Sequence, residues 1–252
     1  MLARKHKSSS GDDRSSGARA AAGSAKQLPL PLREATGWGG KRTGAGRKKQ
    51  PGSGLPHRAR PLLASRFPVH VTMKVVEGLP SLRSKKQLRA IERAFVESTG
   101  RFGMNLAHYS IQKNHLHLVT EAKDRGVLMK GLRALAIRLA HALNRTVGRK
   151  GRVFRDRYHQ HILKTPSAVK AALSYVLQNQ RKHARARGKW VPRRDLDACS
   201  SARYFDGWKD LTPVPPDGDP PVLEPRTWLL KTGWRLRGLI STSAVPAPRA
   251  PP

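Results

Sequence analysis

The chain has 252 residues, enough for one domain with tails or two small ones. Lys and Arg number 50 against 16 Asp and Glu, a net charge of +34 that suits a polyanion, because each basic group that neutralises a phosphate releases counterions. With no apolar run near about 18 residues a membrane is excluded as that partner, and Cys199 as the sole cysteine excludes an intramolecular disulfide and a cysteine-based zinc site.

The first element is not a folded one. Residues 1–65 are rich in Gly, Ser, Ala, Lys, Arg and Pro and cannot bury enough apolar surface to offset ordering, so a disordered basic arm is expected. Within it GKRTGAGRKKQPG, with Lys48 and Lys49, is suited to lie along a phosphate backbone or simply to solubilise the chain. The opening MLARKHKSSSGDD has charge but no apolar segment, so no signal peptide is expected, and a cytoplasmic, nucleoid-associated location follows.

Residues 66–187 read as one domain. FPVHVTMKVV (Phe67 to Val76) alternates, with Val69, Val71 and Met73 on one face and His70, Thr72 and Lys74 on the other, as a half-buried strand does. Ser84 to Ser98 carries Leu88, Ile91 and Phe95 at helical spacing, and Gly100 closes it. Met104 to Gln112 alternates again, with Ala107, Tyr109 and Ile111 expected inward and His108, Ser110 and Gln112 outward. A tight Lys-Asn turn leads into a second strand ending at Glu121, so the two should form a hairpin. Asp124 to Val147 holds Leu128, Leu132, Leu135, Leu139 and Leu143 on one helical stripe. Arg152 to Lys164 reads as a fourth strand, and Pro166 to Ala186 as a final helix capped by Thr165. Residues 188–252 are a Pro-rich extension expected to be loose from about 211, except that RTWLLKTGWRLRGLI has the apolar residues to dock as a short helix.

The order βαββαβ plus one helix is that of an α+β, ferredoxin-like split βαβ fold: a four-stranded antiparallel sheet with two helices on one face and the extra helix on the other. The third strand is then central, next to the first.

That third strand contains His115-Leu116-His117. Side chains two apart in a strand share a face, so both imidazoles point to the open side while Leu116 and Leu118 enter the core. Such a pair can ligate a divalent metal or be two polar residues on a solvated face. The last helix carries SYVLQNQ, in which Tyr175 and Asn179 stack one turn apart, off the apolar stripe of Val169, Leu173, Val176 and Leu177. An amide oxygen can complete a metal site, and a phenol can serve as nucleophile beside it.

With NHLHLV, GRVFRDRYH and YVLQN the chain, over about residues 67–186, resembles the HUH endonucleases, most closely the REP-associated single-tyrosine transposases. The resemblance implies that Tyr175 is the nucleophile and that His115, His117 and Asn179, rather than the neighbouring Gln180, hold Mg²⁺ or Mn²⁺. It implies cleavage and rejoining of single-stranded DNA beside a hairpin or palindromic repeat, through a 5′-phosphotyrosine, by a monomer or a homodimer. Arg155, Arg157 and His159 are expected to contact DNA. A second His-x-His, His159 and His161, has polar Gln160 in the middle and Tyr158 beside it, a poorer match to a core-facing strand.

Two rival classes use the same fold. A pure nucleic-acid-binding module, or an inactive domesticated relative, needs no metal; such modules present aromatics on the open face, where this chain has His70, His108, His115 and His117. A replication-initiator-type nickase shares the chemistry but is usually larger.

Overall fold

Val69–Lys74 forms β1, whose Val69, Val71 and Met73 enter the main core as the alternation requires. The computed structural model describes residues 61–98 and 100–246, so nearly all of the expected arm, with Lys48 and Lys49, lies outside the described residues. Helix α1 (Lys85–Ser98) packs on α2 (Arg125–Thr146), which starts where the Asp124 side chain accepts the Val127 N–H at 2.8 Å. The five leucines of the α2 stripe are all buried. At Gly131 an added Cβ would come within 2.5 Å of Met104, so only glycine lets α2 sit this close to the start of β2.

Strands β2 (Asn105–Ile111), β3 (His115–Glu121) and β4 (His159–Ile162) complete a four-stranded sheet in the order β2-β3-β1-β4, with every pair antiparallel. This is the expected split βαβ topology, with β3 central beside β1. Two expectations need correction. The fourth strand is only four residues long, and its forerunner Phe154 makes a single bridge to Val75. In β2 the register shifts between Leu106 and His108, so Ala107 faces away from the helix layer instead of into it, while Leu106 and Tyr109 point inward.

The second face of the sheet is covered rather than open. Helix α3 (Pro166–Leu177), capped by Thr165 as expected, lays Val169, Leu173, Val176 and Leu177 over Ala107 and Val119. Beside it packs the extension: Ala202, Phe205, Trp208, Leu229, Leu230, Trp234 and Ile240 join the same second core. The stretch expected to dock does so, as α5 (Trp228–Lys231) and a 3-10 turn over Gly233–Arg237. Thr212 to Pro220, by contrast, is exposed except at half-buried Pro213.

Polar groups fasten this segment to the sheet. Ser200 bridges Ser110, and the Ile111 N–H donates to the Cys199 carbonyl at 2.7 Å, which covers the edge of β2. Arg83 grips Asp197 with both nitrogens, at 2.9 and 2.6 Å. Glu121 accepts the backbone N–H groups of Arg226 and Thr227, at 2.8 and 2.7 Å, where α5 begins.

Candidate active site

His117 and His115 lie on β3, paired across β1 with Thr72 and Lys74, and both face α3. Their Nε2 atoms are 3.1 Å apart. The other nitrogens are engaged: His115 Nδ1 is 2.9 Å from Asn114 Oδ1, and His117 Nδ1 is 3.2 Å from both Thr72 Oγ1 and His70 Nε2. A carbonyl oxygen at His115 Nδ1 requires the proton there, which leaves a lone pair on Nε2. If His117 likewise donates from Nδ1 to Thr72, two lone pairs face each other across 3.1 Å, and a cation between them relieves the repulsion. Burial, followed by the charges of His183 and Lys74, pushes the His115 imidazole down to about 4, so it is neutral and fit to ligate at neutral pH.

Tyr175, in the last turn of α3, sets its ring edge-on to His117 with centroids 5.1 Å apart, and 6.0 Å from His70. One turn on, Asn179 is buried, and neither its amide oxygen nor its nitrogen has a hydrogen-bond partner. An orphaned buried amide is costly unless something completes it. Gln180 points elsewhere, toward a small cleft with Asp195 and Trp208. Two imidazoles and an amide oxygen are donor types from which a divalent-metal site can be built. No group of three His, Cys, Asp or Glu side chains that could hold a metal occurs among the described residues, so a metal at the His115–His117 pair would need a donor of another kind.

The helix carrying these residues is not continuous. It breaks at Gln178 (φ −116°, ψ 18°), and α4 (Asn179–Ala186) continues from there. Gln178 donates to the Ser241 carbonyl at 2.6 Å, a tertiary contact that helical periodicity does not reveal. The restart brings Lys182 over the Tyr175 ring, its Nζ 4.8 Å from the centroid. Sequence reasoning missed Lys182. The i, i+7 spacing from Tyr175 was the available signal.

The remaining candidates scatter. His159 and His161 pair with Thr72 and His70, so they share the site's face at the edge strand, and Tyr158 packs on the opposite, α1–α2 side. His161, His70 and Tyr175 border a cavity of about 650 Å³ that runs between α3 and residues 244–246. Arg155 pairs with Glu77 at 3.8 Å and Asp156 at 3.7 Å. Arg157 borders a cleft with Met129 and Arg133 of α2, away from Tyr175.

No protein-family model matches the chain, and no curated protein does. Among solved structures it is similar to a REP-associated tyrosine transposase bound to a REP hairpin, at 14% identity and a TM-score of 0.49, over 66% of this chain and 93% of that one. No described helix is long and apolar enough to cross a membrane.

Proposed function

We propose that this chain cleaves and rejoins single-stranded DNA next to a hairpin, using Tyr175 as nucleophile and a divalent metal held by His115, His117 and Asn179. The observation that carries the reading is the position of the Tyr175 ring, 5.1 Å from that of His117, whose Nε2 faces His115 Nε2 at 3.1 Å. Mg²⁺ or Mn²⁺ bound there would polarise the scissile phosphate and steady the leaving oxygen.

The chain's own residues do the rest. The Tyr175 oxygen attacks phosphorus, the phenol proton passes to water, and the bond to the 3′ oxygen breaks, that oxygen taking a proton from water. The products are a 5′-phosphotyrosine and a 3′-hydroxyl, and attack by a second 3′-hydroxyl on the phosphotyrosine rejoins DNA without an external energy source. Lys182, 4.8 Å from the centroid of the Tyr175 ring, supplies positive charge beside the attacking oxygen's ring and the phosphate. Thr72 and His70 orient His117, and Asn114 orients His115. Tyr175 is half-buried at the end of α3, a position that a flexible single strand can be threaded to more readily than a stiff duplex.

The test is a denaturing gel of each Tyr→Phe variant (positions 109, 158, 175 and 204) incubated with a hairpin-flank oligonucleotide and Mn²⁺. A protein–DNA adduct lost only in Tyr175→Phe supports the assignment. An adduct that persists in Tyr175→Phe, or one lost only in Tyr158→Phe, overturns it.

A further inference from the structure

Beyond Tyr175 the chain continues into RKHARARGKWVPRR, residues 181–194, which contains no acidic residue. Lys182, Arg185, Arg187, Lys189, Arg193 and Arg194 are exposed or half-exposed, and none is in an ion pair among the described residues. Uncompensated positive charge of this density is a phosphate-binding feature.

In the middle stands Trp190, 81% exposed, whereas Trp208 and Trp234 are buried. Exposing an indole forfeits the burial that would stabilise it. The loop that presents it is not slack. Arg181 is buried and donates to four carbonyls of that loop, those of Val191, Pro192, Arg193 and Asp195, at 2.7, 2.6, 3.0 and 3.3 Å. Gly188, at φ +67°, turns the chain off α4, and the Lys189 N–H closes the helix end on the Ala184 carbonyl at 2.8 Å. The indole is therefore mounted on a fixed support, pre-organised for contact.

The mount is also continuous with the site. Lys182 touches the Tyr175 ring, and α4 runs on from it to Ala186, about 6 Å, before the turn that leads to Trp190. We infer that the outer side of α4 and the loop from Arg187 to Arg194 form a track for single-stranded DNA, with Trp190 as the platform on which one base stacks. An exposed ring flanked by cations is the chemistry of unpaired strands, whose bases offer open faces; a protein partner would call for apolar neighbours instead. The inference rests on the DNA-processing reading above, and it adds where the strand goes after it leaves Tyr175.

The full chain is tested by fluorescence anisotropy with a labelled DNA hairpin carrying a single-stranded tail and with the same hairpin cut blunt. Trp190→Ala is expected to weaken binding of the tailed hairpin by about five- to hundred-fold, leaving the blunt one unchanged, and Trp190→Phe to restore most of the loss. The triple variant Arg185→Gln, Arg187→Gln, Lys189→Gln should flatten the salt dependence on the tailed hairpin by about two units of log–log slope. Equal losses on both hairpins, or none in Trp190→Ala, would overturn the track. Thermal melting of the variants, expected to match the parent because these side chains are exposed, guards against misfolding as the cause. Adduct formation by the parent chain is scored separately. A tail-specific loss without any adduct upholds the track and refutes the nuclease; an adduct with no effect of Trp190→Ala does the reverse.

Discussion

Tyr175 and His117 meet edge to face, their ring planes at 81°, although 58 residues of chain separate them and one sits on a helix, the other on the central strand. That contact puts a phenol against the candidate metal pair without burying it fully. Tyr175→Phe removes one oxygen and keeps the ring contacts, so the midpoint of urea unfolding should stay within about 0.5 kcal/mol of the parent while the adduct disappears. A variant that is unfolded would show instead that the hydroxyl is structural.

Mn²⁺ affinity reports on the histidines independently of activity. Titration calorimetry of the parent should show one site, with EDTA reversing it. His115→Ala with His117→Ala should abolish binding, and Asn179→Ala should weaken it by about 10-fold or more. His159→Ala with His161→Ala should bind Mn²⁺ like the parent, since that pair lies on edge strand β4, across β1 from the strand that carries His115 and His117. Loss of binding in the edge-strand pair alone would move the metal there.

Glu121 holds the extension to the sheet with bonds to Asn105, Arg226 and Thr227, at 2.7, 2.8 and 2.7 Å. Glu121→Ala leaves two part-buried backbone N–H groups without their acceptor and should cost about 1–3 kcal/mol in denaturant unfolding. The exposed pair Arg93–Glu97 is the control, and Arg93→Ala should change stability by less than about 0.5 kcal/mol. Equal costs for the two would mean that the Glu121 cluster does not hold the extension.

His108 is buried against Phe205 and Ser201, and burial pushes its imidazole from 6.5 down to about 4, with Asp206 pulling weakly the other way. The folded state therefore binds its proton less readily than the unfolded one. Its contribution is whole above pH 6.5 and is lost as pH falls from there to about 4, for a total of about 3 kcal/mol. His108→Gln should reduce the acid slope of stability between pH 6.5 and 4 by up to one proton, read from denaturant midpoints across that range. An unchanged slope would show that His108 does not drive acid unfolding.

The sequence by itself determined whatever depends on near neighbours. Strand alternation placed His115 and His117 on one face and Leu116 on the other, the leucine repeat of α2 named its buried stripe, and the element order led to a split βαβ sheet. The four-residue spacing of Tyr175 and Asn179 predicts one helix side for both, whereas α3 ends at Leu177 and α4 starts at Asn179. Tertiary structure decided what depends on residues far apart in the chain. Ala107 turned to the second face because a register shift is settled by the partner strand, not by the strand's own pattern. The final helix broke at Gln178 because its amide reaches Ser241. The side of the sheet expected to hold only one helix is sealed by Phe205, Trp208 and Trp234. The apolar residues of RTWLLKTGWRLRGLI announce docking but not its place, nor that Phe205 and Trp208 join it, since apolar burial is non-directional and scattered large side chains find their partners only when the sheet is already there.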